Sequence, residues 1–241
     1  ITAANALSGL ITGDAPAEVL QLLRDVAAEG DPYLARACGR ALAEFCQIDG
    51  IEILIESMSF PSIDAFFNYN YNVSNYLSAY TGVDFAEGND GERYSQQVWR
   101  KWFAENRDKM DLKSNIAAWR EFSRLSQRPT EESDIAPYET FLEKYPNYTR
   151  ARTGLASLLN ALAWNMVSAD HDSKQYDPKR ALQYALRCVE LSGEANYFDT
   201  LIQAFEANGM MTEARETCRK ALELYPGNNL FISRMKRYDN K

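Results

Sequence analysis

Residues 195–226 read ANYFDTLIQAFEANGMMTEARETCRKALELYP, and the fold of the chain is worked out from this stretch. Apolar side chains recur every three or four positions up to Asn208-Gly209, a helix-stopping pair; the same spacing then resumes until Pro226-Gly227 ends it. Strict alternation over a strand length is absent, so both segments are helices, 195–208 and 211–224. A connection this short makes them antiparallel neighbours.

The same grammar runs through the whole chain. It predicts helices at 16–29, 31–47, 50–59, 61–80, 94–108, 111–127, 132–145, 149–168, 178–191, 195–208, 211–224 and 227–238, with a further helix at 2–11. Breakers stand between them at Gly30-Asp31-Pro32, Asp49-Gly50, Phe60-Pro61, Pro146-Asn147 and Ser192-Gly193. Tightly joined helix pairs, with similar pieces returning about every 30–40 residues, predict an all-α fold, an α-solenoid of stacked antiparallel helix pairs. Two segments exceed the repeat: the Gly-rich, acidic stretch 81–93, and ADHDSKQYD at 169–177. Excess loops of this kind are where function is commonly added.

Composition narrows the function classes. The 241 residues are 46% hydrophobic, enough for a sizeable core, and 34 acidic residues against 26 Lys plus Arg give a net charge of −8. That balance argues against a general binder of phosphate backbones, so no nucleic-acid partner is expected. No apolar run approaches the roughly 18–20 residues of a spanning helix, and direct membrane insertion of this segment is not expected either. The chain begins at Ile1 without a basic, apolar leader, which suggests that a signal segment or an upstream portion has been removed and leans towards a periplasmic or extracytoplasmic location, with a cytoplasmic one as the alternative. Cys38, Cys46, Cys188 and Cys218 show no CxxC spacing and read as buried, reduced core residues, which pulls towards a reducing compartment.

Two family resemblances sharpen the picture. Asp31-Pro32-Tyr33-Leu34-Ala35-Arg36-Ala37-Cys38-Gly39-Arg40-Ala41-Leu42 resembles the second helix of a HEAT repeat, in which Asp-Pro starts the helix and small residues at 37, 38, 39 and 41 let it lie close to its partner. Ala35 stands where that family usually carries Arg. The stretch Val98-Trp99-Arg100-Lys101-Trp102-Phe103 is similar to the closing unit of bacterial HEAT-type arrays, its aromatic stripe capping an open hydrophobic end. This resemblance covers about 16–108. Residues 130–240 resemble tetratricopeptide (TPR) repeats: with Pro226 as the closing proline, the small positions fall on Ala214 and Ala221, the large helix-A positions on Phe198, Leu201 and Phe205, and Cys218 on a usually aromatic position. Ala181, Ala185 and Cys188 belong to an earlier unit, and Phe141 and Tyr145 to a degenerate one. The implied organisation is a HEAT-like array at 1–110, a bridging helix at 111–129 with Trp119 and Phe122 buried, and TPR-like repeats at 130–241 ending in a cap that turns Arg234, Lys236 and Arg237 outward.

Neither family implies catalysis, and no enzyme activity is expected. His171 lies beside Asp170 and Asp172, but no GxSxG or HExxH motif accompanies it, and it reads as a solvated loop residue. Asp84, Glu87, Asn89, Asp90 and Glu92 offer oxygens, yet Ala86 breaks the EF-hand order, so neither metal nor cofactor is expected. The segment Phe66-Phe67-Asn68-Tyr69-Asn70-Tyr71-Asn72 splits at helical spacing into an inward stripe of Phe66, Tyr69, Val73, Leu77 and Tyr80, and an outward set of Phe67, Tyr71 and Asn72 suited to binding a protein partner. The resemblance adds Asn196, Asp199, Gln203 and Glu206 as groove positions, and Arg150 as a basic contribution. This face is acidic, unlike that of TPR units that grip a partner's C-terminal carboxylate.

The resulting expectation is a scaffold or adaptor, monomeric on its own, that holds a protein or peptide during assembly of a bacterial complex. The alternatives are a regulatory or docking portion of a larger enzyme, or a small-ligand or glycan module built on the aromatic segment.

Overall fold

Helix starts are set by local chemistry. The Asp31 carboxylate accepts from the amides of Tyr33 (2.8 Å) and Leu34 (3.0 Å), and Pro32 follows where its missing N–H has no cost. Ser95, Asp111 and Asp177 cap three other helices in the same way. The computed structural model describes residues 15–58, 63–83, 85, 94–125 and 129–239, without the side chains of 63–69. Among the described residues the fold is all-α, with twelve α-helices and no strand. These are α1 (Ala17–Ala27), α2 (Pro32–Glu44), α3 (Asp49–Glu56), α4 (Ile63–Thr81), α5 (Gln96–Asn106), α6 (Leu112–Phe122), α7 (Ile135–Lys144), α8 (Thr149–Ser168), α9 (Pro178–Leu191), α10 (Ala195–Ala207), α11 (Met211–Leu224) and α12 (Asn229–Asp239). The segment 2–11 lies outside the described residues.

The chain forms two compact units, Ile1–Arg124 with Tyr148–Arg150, and Leu125–Asn147 with Ala151–Lys241. Within each, neighbouring helices pack in succession, the arrangement of a solenoid. In the first unit α1 packs on α2, α2 on α3, α3 on α4 and α5, and α4 on α6. Contacts of α2 with α4 and α6 make these three helices one layer. Across the other layer, Arg24 of α1 donates to Asp49 of α3 at 2.5 Å. The core between the layers is built on Ile51, Leu54, Ile55, Val73, Leu77, Tyr80, Trp99 and Ile116.

The close approach of α2 and α3 rests on two glycines. A Cβ on Gly50 would lie 2.4 Å from the Ala43 amide nitrogen and 2.6 Å from the Gly39 carbonyl oxygen. Gly50, read from the sequence as part of a helix stop, therefore sits inside α3 and lets it meet α2 backbone to backbone. Cys46 also departs from expectation. Helix α2 ends at Glu44, and Cys46 is exposed in the left-handed region (φ 59°) rather than buried. There its amide donates to the Ala43 carbonyl (2.8 Å) and the Gln47 amide to that of Leu42 (2.9 Å), a Schellman closure that normally employs glycine. The turn after α10 has the same closure with Gly209 (φ 75°) in that place.

In the second unit α9, α10, α11 and α12 pack in sequence over a core of Phe198, Leu201, Ile202, Phe205 and Phe231. Ala181 and Ala185 of α9, and Ala214, Cys218 and Ala221 of α11, are buried on the faces turned to this core, while the buried Cys188 thiol of α9 donates to the Ala156 carbonyl of α8 at 3.1 Å. Small residues let the layers close, and burial pushes the Cys188 thiol up to about 12.

The cap needs a correction. Arg234, expected outward, is only 12% exposed and binds Asp199 (2.6 Å) and Glu206 (3.0 Å) of α10. Arg237 and Tyr238 also donate to Glu206. An amphipathic helix with Phe231 and Tyr238 buried brings those arginines over an acidic face, where pairing offsets their desolvation.

Candidate functional site

Helix α2 has one small face and one large one. Ala37, Cys38, Gly39, Ala41, Leu42 and Ala43 are buried, so Tyr33, Arg36, Arg40 and Glu44 fall on the remaining side at steps of three and four residues. Arg40 Nε donates to Glu44 Oε1 at 3.0 Å, and its guanidinium lies 5.3 Å from the Tyr76 ring centroid and bonds the Tyr76 hydroxyl at 3.4 Å. Glu44, 6% exposed, also accepts from the Tyr80 hydroxyl at 2.6 Å. Burial, and then the adjacent Glu44 charge, push that hydroxyl well above its ordinary pKa. Tyr80 meets Trp119 of α6 edge-on at 5.2 Å, and Arg120 donates to the Glu44 carbonyl at 3.0 Å. At the start of α2, Arg36 lies over Tyr33, 5.5 Å from its centroid.

This is a single layer of α2, α4 and α6 held by a buried carboxylate, with Tyr33 (38% exposed), Arg36, Tyr76, Trp119 and Arg120 at its outer surface. Guanidinium groups resting on aromatic rings are held in place before any ligand arrives, and aromatic and Arg side chains are the types that anchor protein interfaces. Glu44 and its partners escape a sequence reading. The spacing of Arg40 and Glu44 is a local signal, but the hydroxyl from α4 and the guanidinium from α6 come from 36 and 76 residues away.

The residues expected from the sequence divide between the units. Tyr71 is 48% exposed on α4, its ring 6.1 Å from that of Tyr94, and Asn72 beside it is exposed. Val73, Leu77 and Tyr80 form the buried stripe as expected. The side chains of Phe66, Phe67 and Tyr69 lie outside the described residues. Asn70, between them and Tyr71, is buried and donates to the Tyr94 carbonyl at 3.3 Å. Arg150 is half-buried, 5.9 Å from the Phe122 ring.

In the second unit Asn196 is exposed, whereas Asp199 accepts from both Gln203 (2.9 Å) and Arg234. Asp199, Gln203 and Glu206 thus belong to one network that holds α12. Trp164 is a further exposed aromatic, 42% exposed on α8.

The exposed His171 ring lies tilted against that of Tyr176, their centroids 4.3 Å apart, in the 169–177 segment. Asp84, Glu87, Asn89, Asp90 and Glu92 lie outside the described residues. Among the described residues no group of three or more His, Cys, Asp or Glu side chains is placed to hold a metal, and no helix is long and apolar enough to cross a membrane. Two clefts flank α3: one of about 320 Å³ against Ala27, Gly30 and Pro32, and one of about 200 Å³ against Arg100, Phe103 and Arg107. Neither includes the aromatic segment expected for a glycan site.

Comparisons with family models, curated proteins and solved structures gave no match.

Proposed function

We propose that this chain is a non-enzymatic scaffold or adaptor that holds a protein partner during assembly of a bacterial complex, through a HEAT-like first unit and a TPR-like second one. The observation that carries this reading is the outer face of α2, α4 and α6, where preset arginines and aromatic rings cluster on one layer of successive helices. Rigid arrays of this kind present long surfaces for recognition. The TPR-like character of the second unit is supported by its internal period. Ala181, Ala185 and Cys188 return 33 residues later as Ala214, Cys218 and Ala221, close to the roughly 34 of that repeat.

The test is affinity capture from the native host with the intact chain, read by cross-linking and mass spectrometry, beside a Tyr33→Ala, Tyr71→Ala variant. Both rings are exposed, so folding should be preserved. A stoichiometric protein captured by the intact chain and lost from the variant is expected. Failure of the intact chain to retain any protein would overturn the reading.

A further inference from the structure

Residues 15–58, which form α1, α2, α3 and the turns between them, hold eight acidic side chains against the three arginines Arg24, Arg36 and Arg40. The larger of the two clefts beside α3, about 320 Å³, opens within this acidic stretch. Its apolar wall is Ala27 at the end of α1, Pro32 and Ala35 of α2, and Ile53 of α3. Its polar side chains are Glu52, Glu56 and Ser57, and none of them offers a proton. Two are carboxylates, and the Ser57 hydroxyl already donates to the Leu54 carbonyl at 2.7 Å.

From this we infer that the cleft docks a basic segment of a partner protein, taking one Lys or Arg side chain with its methylene stem along Ala27, Pro32, Ala35 and Ile53 and its charged head on Glu52 and Glu56. The inference rests on the scaffold reading above and names the partner's chemistry. A side chain with an apolar stem and a head that only donates is the complement of an apolar wall edged by acceptors. The volume stands at the small end of ligand pockets, roughly 300–1,000 Å³, and so suits one long side chain better than a folded element. Ala27 belongs to the last turn of α1, where free carbonyls and the helix dipole favour a cation. Glu52 and Glu56 are held from the far side. Arg100 donates to Glu56 at 2.7 Å and Arg107 lies 3.5 Å from Glu52, and both arginines line the smaller cleft across α3 but not this one. A carboxylate has about four acceptor positions, so these pairs fix the two groups in place without exhausting them. With Arg100 and Arg107 added to the balance, eight acids still face five bases. An acidic segment or a nucleic acid is repelled by the same carboxylates.

The experiment selects random peptides displayed on phage against the full chain and follows the leading peptide, labelled, by fluorescence anisotropy. Three variants are compared, each checked for its helical melting transition. Glu52→Gln/Glu56→Gln removes the partners of the charged head. Ala35→Leu fills the cleft and changes no charge. Glu105→Gln/Asp108→Asn removes the same two charges from exposed residues that do not line the cleft. The full chain should enrich peptides rich in Lys and Arg, and the leading one should bind the first two variants about tenfold more weakly or worse and the third unchanged. Selected peptides without basic enrichment, no enrichment at all, or a peptide indifferent to Ala35→Leu would overturn the cleft as the site. Displacement of the peptide by a lower concentration of spermidine would replace the protein segment with a free polyamine. None of these outcomes decides the scaffold reading, which falls only if the intact chain captures no protein from its host.

Discussion

Replacing Gly50 by Ala tests the close approach on which the first unit is built. The new methyl would stand 2.4 Å from the Ala43 nitrogen, 2.6 Å from the Gly39 oxygen and 2.9 Å from the Leu42 Cβ, two of them backbone atoms that no rotamer change can move. Restoring ordinary contact distances requires α2 and α3 to separate by about 1 Å, enough to forfeit a quarter to a half of the dispersion at each facing pair. Leu42, Ala43, Ile51 and Leu54, all fully buried, line the two sides, so the loss falls near the top of the range for overpacking, about 3 kcal/mol. Alanine's better helix propensity returns about 1 kcal/mol, leaving a net loss of about 2 kcal/mol. Urea unfolding followed by tryptophan fluorescence in a Trp164→Phe background reads this unit, because Trp99, Trp102 and Trp119 all belong to it. With an m-value of about 2 kcal/mol per M, the midpoint should fall by about 1 M. An unchanged or higher midpoint for Gly50→Ala would show that the glycine contact does not set the helix spacing.

Other perturbations probe the remaining devices. Cys46→Gly should raise stability by about 1 kcal/mol in the same assay, because glycine adopts the left-handed backbone at φ 59° without a Cβ clash; a loss would mean that the Cys46 side chain contributes more than its backbone costs. Glu206→Ala removes the acceptor shared by Arg234, Arg237 and Tyr238, and after allowance for its partial exposure should cost about 2 kcal/mol and raise amide exchange in α12 before that in α10; unchanged exchange would remove the network as the helix's anchor. Burial, with Glu206 as a further cause, holds the Tyr238 hydroxyl up to about 12, and burial does the same for Tyr148. A tyrosine pKa raised above its usual value near 10 favours the neutral form of the folded state, so this stability is complete below pH 10 and is lost as pH climbs through about 12. Absorbance titration at alkaline pH should show these rings ionising late and together with unfolding; ionisation near pH 10 in a folded protein would contradict their burial.

Much of the fold is local and so could be read from the sequence. Pro178 behind Asp177, and the apolar spacing through 211–224, fix α9 and α11 within their own residues. Gly50 shows where that reading fails. In sequence a glycine near a helix end looks like a stop, and only the proximity of Gly39 reveals it as a contact residue. Arg234 fails for a related reason. Solvent is the usual place for a cap's arginine, and Asp199 and Glu206, 35 and 28 residues away, make burial favourable. Of the candidate site, the exposed Tyr71 and the buried stripe beside it follow from helical periodicity alone. The Glu44 cluster depends on how α2, α4 and α6 are paired, which periodicity does not encode.

The two units place their polar residues differently, and the reason lies in which helix face is small. In α2 the small face is turned to α3 through Gly39, so every bulky polar side chain of the helix is displaced to the opposite side, where α4 and α6 meet it. One carboxylate there receives Arg40 and Tyr80. In the second unit the small faces belong to α9 and α11, and the acidic residues of α10 meet the arginines of α12 in nearly balanced pairs. A balanced network whose members are mutually satisfied offers little to an incoming ligand, because any new contact must first break an existing one.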